Sequence, residues 1–123
     1  MNKLTLLLVA VFLFVASPAM AENYKAYVNG RDLIERCDTE YNPTSKFVLP
    51  NCLGYIAGVI DLHENLVRTE GVKPNFCKPE RHDLTEMHRV VCKFLKENPN
   101  LLINSASDLV IEALAELFPC SKP

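Results

Sequence analysis

Two cysteines and two histidines follow one another in residues 77–92, in an order that could bind a metal ion. Cys77, His82, His88 and Cys92 give the spacing Cys-x4-His-x5-His-x3-Cys, and thiolates and imidazoles are the ligands of structural zinc sites. The spacing matches none of the strong zinc patterns, and a site built this way would leave the other three cysteines as an odd trio. We therefore expect no metal ion and no other cofactor.

A cysteine nucleophile activated by a histidine is the second chemistry that these residues suggest. Such a pair needs a third group that orients the histidine. None is indicated beside His88 and Cys92, which are four residues apart in a helical pattern. Paired carboxylates, nucleophile motifs and phosphate-binding loops do not stand out elsewhere in the sequence. We expect no enzymatic activity.

The first 21 residues have the pattern of a secretory signal peptide. One positive charge precedes an apolar run over residues 4–15, and the sequence Ala-Met-Ala gives a small-x-small cleavage pattern before Glu22. The apolar run is too short for a comfortable membrane span. We expect residues 1–21 to be removed on export, and residues 22–123 to form one domain with no membrane segment.

All five cysteines lie in the mature part, and in an exported chain of this size they indicate disulfides. Cys92 falls within a helical pattern, and its neighbours among the cysteines do not. We therefore expect Cys92 to stay outside the bonds as a half-buried, inert thiol. We pair Cys37 with Cys52, because these two bracket one connection, and Cys77 with Cys120, because each lies in a loop or in the tail.

Hydrophobic periodicity predicts helices along the mature chain and no convincing strand. The predicted helices cover approximately residues 29–37, 52–70, 83–98 and 104–118. Asp83 and Glu86 resemble a capping box at the start of the third helix, and Gly71 follows the end of the second. The predicted fold class is all-α, a compact bundle of four to five helices stapled by disulfides.

The longest predicted helix carries two glycines, Gly54 and Gly58. Glycine in a helix interior costs about 1 kcal/mol relative to alanine. Apolar residues cover most of this helix, which predicts a central, buried helix. The glycines share the remaining stripe with Asp61 and Asn65, and we interpret that stripe as a face against which another segment packs closely.

Charge is distributed unevenly along the mature chain. After loss of the signal peptide the acidic residues outnumber the basic ones by three, which argues against a nucleic-acid-binding protein. Asp108, Glu112 and Glu116 recur every four residues in a segment without lysine or arginine. They form either a solvated face or an acidic strip that contacts a basic partner surface. Residues 68–96 lean basic, so a homodimer could use both patches.

Several segments of the chain resemble one protein family. These are Cys37, "CLGYIAGVID" (52–61), "CKP" (77–79), "VVCKFLKENP" (90–99) and "ASDLVIEALAELFPC" (106–120). Together they resemble the Rap/Tai family of periplasmic immunity proteins associated with bacterial type VI secretion. The residues that match the family's helix motif are Cys52, Gly54, Tyr55, Gly58 and Asp61, and those that match its remaining framework cysteines are Cys37, Cys77 and Cys120. Cys92 departs from the pattern, which has an ordinary apolar residue at this position.

The resemblance implies an all-helical, disulfide-bonded protein that binds a peptidoglycan amidase toxin and blocks its active-site cleft. Such a protein protects the producing cell and its siblings, and it resides in the periplasm. The alternative is a small helical periplasmic chaperone of the acid-protective kind, which shares size, compartment and helical content.

Two proline-bearing loops, residues 38–51 and 71–82, are the candidates for insertion into a toxin's cleft. We favour the second loop because Cys77 would anchor it rigidly, which lowers the entropy cost of binding. Its candidate contact residues are Lys73, Asn75 and Phe76. The alternative is that this loop merely connects two helices.

Overall fold

Four α-helices make up most of the structure. It is a computed structural model and describes residues 25–37, 48–81 and 83–121. In chain order they are α1 (Gly30–Cys37), α2 (Val48–Glu70), α3 (Leu84–Glu97) and α4 (Ala106–Leu117), with a 3-10 turn at Pro99–Leu101. Within these ranges no strand forms, and an isolated bridge joins Asn29 to Ser105. The predicted all-α bundle is confirmed.

Three of the sequence predictions lie wholly or partly outside the described residues. The predicted signal peptide lies within residues 1–24, and most of the first candidate loop lies within residues 38–47, neither of which the structure describes. The candidate metal ligand His82 also lies outside the described residues.

The core lies between the helices, each of which contacts the other three. The buried apolar side chains of the helices are Leu33 and Cys37 of α1, Cys52, Ile56 and Ile60 of α2, Met87, Val91, Phe94 and Leu95 of α3, and Ala106, Leu109, Val110, Ala113 and Leu114 of α4. None of the helices in the described ranges is both long enough and apolar enough to cross a membrane.

The start of α1 is fixed by a reciprocal cap and by a close approach to the segment before α4. The backbone N–H of Asn29 donates to the carboxylate of Asp32 at 3.1 Å, and the N–H of Asp32 donates to the Asn29 side-chain oxygen at 3.0 Å. Gly30 is buried, and a Cβ at this position would lie 2.7 Å from the Leu102 Cα. Only glycine fits there without a backbone shift.

The second helix begins four residues earlier than predicted, at Val48 rather than Cys52. Pro50 was expected to keep residues 48–51 in a loop. It is the third residue of the helix instead, where proline is tolerated because the N–H groups of the first turn have no partner within the helix. The predicted end is confirmed, since α2 stops at Glu70 and Gly71 has a φ of 65°.

The prediction that α2 is buried on nearly all sides is wrong. Its buried positions, Cys52, Ile56, Ile60 and His63, follow a single face, and Gly54 and Gly58 are exposed. A Cβ at either glycine would meet no atom of the described residues within 4 Å. The close packing expected at this stripe is therefore absent from the described part of the chain.

The last two helices follow their predictions closely. Asp83 is the N-cap of α3, and its carboxylate accepts a hydrogen bond from the Thr85 backbone N–H at 2.9 Å. The apolar face of α4 is buried except at its end, where Leu117 is 50% exposed.

Candidate partner-binding site

The segment that joins α2 to α3 is the second of the two candidate loops, and we call residues 71–81 the proline loop. It contains Pro74 and Pro79 and has no regular secondary structure. Its geometry therefore depends on contacts with the helices and with the C-terminal tail.

A disulfide ties the proline loop to the tail that follows α4. Cys77 is bonded to Cys120, and the backbone N–H of Cys77 donates to the Phe118 carbonyl at 2.8 Å. The second disulfide joins Cys37, the last residue of α1, to Cys52 in α2. Both predicted pairings are confirmed, with Cys92 outside them as predicted.

A buried histidine ties the same loop to α2. His63 is 7% exposed, and its Nε2 accepts a hydrogen bond from the Asn75 backbone N–H at 3.1 Å. Its ring stacks on Phe76, with the centroids 4.2 Å apart and the planes 17° from parallel. Because Nε2 accepts, the neutral ring carries its proton on Nδ1, an atom with no hydrogen-bond partner among the described residues. Sequence reasoning missed this role because His63 has no motif around it.

Phe76 does not have the position expected of a contact residue. Its side chain is 1% exposed and belongs to the hydrophobic core. The expectation that a partner could contact an exposed aromatic ring at this position needs correction. Phe76 instead anchors the loop to the core. Replacing a buried phenylalanine with alanine lowers the free energy of unfolding by about 3–5 kcal/mol, which indicates the strength of this anchor.

Near its start the proline loop exposes three residues that lie close together in the sequence. Lys73 and Asn75, which the sequence predicted as contacts, are exposed, and Val72 is 45% exposed. The Lys78 ammonium lies 3.9 Å from the Glu64 carboxylate of α2. A partner that approaches here would meet the Lys73 cation, the Asn75 amide and the apolar Val72 side chain. The backbone that carries them is fixed by contacts with α2 and the tail.

The acidic strip on α4 is exposed along its whole length. Asp108, Glu112 and Glu116 are all open to solvent, and no ion pair found in the described ranges involves them. Two apolar side chains accompany them, Ile103 at 73% and Leu117 at 50% exposure. The charges of this strip follow from the sequence, whereas the apolar residues at its edges become apparent only in the structure.

Of the candidate metal ligands that the structure describes, Cys77 does not join His88 and Cys92, and a different cluster forms instead. Cys77 is bonded to Cys120, whereas His88 and Cys92 of α3 lie beside the Cys37–Cys52 disulfide. One nitrogen of His88 and the three sulfurs lie within 4.8 Å of one another. Three cysteines and a histidine are a zinc-like donor set, but the disulfide takes up two of the sulfurs. In the oxidised state the cluster offers one thiol and one imidazole.

Comparison with protein families identifies the chain. The family model of the Rap1a immunity proteins matches residues 29–120, from the N-cap of α1 to the last disulfide cysteine. No curated protein matches the chain. Because the family match covers most of the chain and includes every helix described above, this protein belongs to the Rap1a immunity protein family.

Proposed function

We propose that this chain is a periplasmic immunity protein that binds a peptidoglycan amidase effector of type VI secretion and blocks its substrate cleft. Membership of the Rap1a family supports an immunity role against a secreted effector. It favours this role over the acid-protective chaperone. In this proposal the protein acts by binding alone and without catalysis of its own.

The observation that carries the proposal is the way the proline loop is held. A disulfide, a backbone hydrogen bond to the tail, a histidine acceptor and a buried ring all fix residues 75–77. A segment that is already ordered loses little conformational freedom when it binds. Inhibitors that occupy an enzyme cleft commonly present such a pre-formed segment, and their backbones move little on binding.

The exposed side chains of this loop define the contact that we propose. Lys73 and Asn75 would enter or border the effector's cleft, with Val72 packed at its edge. Phe76 would support them from the core without touching the effector.

The acidic strip is proposed as a second contact, directed at a basic surface of the effector. Charges at the rim of an interface mainly accelerate association and fix the register of the complex. The strip could also pair with the basic residues of a second copy of this chain, and we include a homodimer in the proposal on that ground.

Export through cleavage after residue 21 completes the proposal, because a wall-degrading amidase acts outside the cytoplasmic membrane. Both disulfides are consistent with an oxidising compartment.

Co-expression tests the proposed role directly. A secreted amidase effector encoded in the genome that carries this chain is sent to the periplasm with and without the full-length protein. We expect lysis without the protein and growth with it, together with a stoichiometric complex whose amidase no longer hydrolyses peptidoglycan. Continued lysis and the absence of a complex with each amidase effector of that genome would refute the proposal.

A loop variant and a matched control separate the proposed contact from the general role. Lys73→Glu with Asn75→Ala changes the exposed side of the loop, and Arg89→Glu reverses an exposed charge on α3. If the loop variant loses at least about 2 kcal/mol of binding energy, as hot-spot residues do, and Arg89→Glu binds normally, the loop is the contact. Equal binding by both variants would reject the loop and leave the immunity role standing.

A further inference from the structure

The thiol of Cys92 lies against the disulfide that joins α1 to α2. Its sulfur is within 4.8 Å of both bonded sulfurs, those of Cys37 and Cys52, and 3.4 Å from the Cys37 carbonyl oxygen. The cysteine comes from α3, 55 residues further along the chain than Cys37. Three sulfurs from three helices therefore meet at one point of the core edge.

A histidine side chain completes this cluster. The Nε2 atom of His88 lies 3.3 Å from the Cys92 sulfur and 3.1 Å from the Cys37 carbonyl oxygen. The thiolate is the species that attacks a disulfide, and an adjacent imidazole can take up the thiol proton and stabilise the anion. Both Cys92 and His88 are half-buried, so the thiolate would form in a partly desolvated site beside its target.

We propose that Cys92 and His88 form a nucleophilic site that exchanges the Cys37–Cys52 disulfide for one that contains Cys92. The thiol proton moves to His88 Nε2, and the Cys92 thiolate attacks one of the two bonded sulfurs. A new bond forms to that sulfur while the Cys37–Cys52 bond breaks, and the released thiolate takes the proton back from His88. The chain keeps two disulfides and one thiol throughout, so the step needs no oxidant or reductant.

The exchange changes how the first three helices are linked. In the described isomer the bond closes the connection between α1 and α2, at a sequence separation of 15. After exchange, one end of this connection is released and the other is tied to α3. The site is thus a covalent switch in the link between α1 and α2, and it gives Cys92 a reactive role in place of the inert one expected from the sequence. It does not depend on the proposed immunity role.

Peptide mapping tests the exchange, because trypsin places the three cysteines in different peptides. Cleavage after the basic residues isolates Cys37 in residues 37–46, Cys52 in residues 47–68 and Cys92 in residues 90–93. The full-length protein is held at mildly alkaline pH without reductant, then denatured in acid, neutralised in excess N-ethylmaleimide and digested. We expect one label per intact molecule, with about 0.1–10% of molecules labelled on Cys37 or Cys52, the usual range for a minor state.

Two controls make this result specific. Blocking Cys92 with N-ethylmaleimide before the alkaline incubation, or replacing it by Cys92→Ser, should abolish labelling of Cys37 and Cys52. Labelling confined to Cys92, or unchanged when Cys92 is blocked, would overturn the proposal.

A second variant tests the partner sulfur and the role of the histidine. Cys52→Ser leaves Cys37 and Cys92 as thiols, and we expect them to join in a glutathione redox buffer with the helical circular dichroism retained. Adding His88→Asn should slow this bond formation at neutral pH by at least about tenfold, the lower range of general base effects. Failure of a folded Cys52→Ser protein to form the bond, or an unchanged rate with His88→Asn, would refute the corresponding step.

Discussion

Two glycine-to-alanine substitutions should change the stability of this protein in opposite directions. Gly58 lies in the interior of α2 with no atom of the described residues within 4 Å of where its Cβ would be, whereas Gly30 lies against Leu102 and Leu109. Alanine at position 58 gains the helix propensity that glycine lacks, about 1 kcal/mol. It meets no described neighbour that would offset this gain.

At position 30 the same methyl group would overlap its surroundings. It would lie 2.6 Å from a methyl carbon of Leu109 and 2.7 Å from the Leu102 Cα. The leucine side chain can rotate away, but the backbone of Leu102 accepts the Arg31 N–H at 3.1 Å and is held in place. Overpacking of this kind costs typically about 1–3 kcal/mol, so Gly30→Ala should be destabilised by that amount.

Thermal unfolding followed by far-ultraviolet circular dichroism measures both effects. For a domain of this size 1 kcal/mol corresponds to about 4–8 °C in Tm, so Gly58→Ala should melt several degrees above the wild type and Gly30→Ala several degrees below it. Gly54→Ala is the matched control for the open stripe and should behave like Gly58→Ala. A lowered Tm for both stripe variants would show that the stripe is packed, and would refute the open face.

Three further predictions concern the anchoring of the proline loop and the acidic strip. Phe76→Ala should destabilise the fold by about 3–5 kcal/mol in denaturant unfolding, and a loss below 1 kcal/mol would mean that the ring is not buried. His63→Phe keeps a stacked ring but leaves the Asn75 N–H without its acceptor, so it should cost about 1–3 kcal/mol and less than His63→Ala. No loss in His63→Phe would remove the role of the hydrogen bond, and equal losses for the two His63 variants would remove the role of the stacked ring. Glu112→Lys with Glu116→Lys should leave the Tm nearly unchanged, slow association with the effector and flatten its salt dependence in stopped-flow measurements. Unchanged association kinetics would show that the strip is a solvated face and does not contact the effector.

The parts of the fold that the sequence predicts are those governed by local signals. Asp83 caps α3 because its carboxylate reaches a backbone N–H two residues on, and Gly71 ends α2 because it adopts the positive φ that a helix stop favours. The disulfide pairs follow from position as well, since a bond between neighbouring helices and a bond between a loop and the tail both need little rearrangement of the chain.

The errors arise where tertiary contacts decide. Apolar residues around most of α2 predict burial on all sides, but a four-helix bundle of this size has neighbours for only one face of each helix. Phe76 was assigned to the surface because it lies in a proline-rich loop. A loop can place one side chain in the core, and only the position of His63 in three dimensions shows that this one does. Likewise, no spacing rule places Cys92 beside Cys37 and Cys52, because the three residues come from three different helices.

The contacts that fix the proline loop are the physical basis of the inhibitory role that we propose for it. The Asn75 N–H and the Phe76 ring both contact His63, and Cys77 is bonded to the tail, so three consecutive residues are held by α2 and the tail. The backbone of this stretch is therefore fixed while the Lys73 and Asn75 side chains remain exposed. In this proposal an effector that binds these side chains does not have to order the loop, so less conformational entropy is lost on binding. The loop is rigid because Phe76 packs in the hydrophobic core.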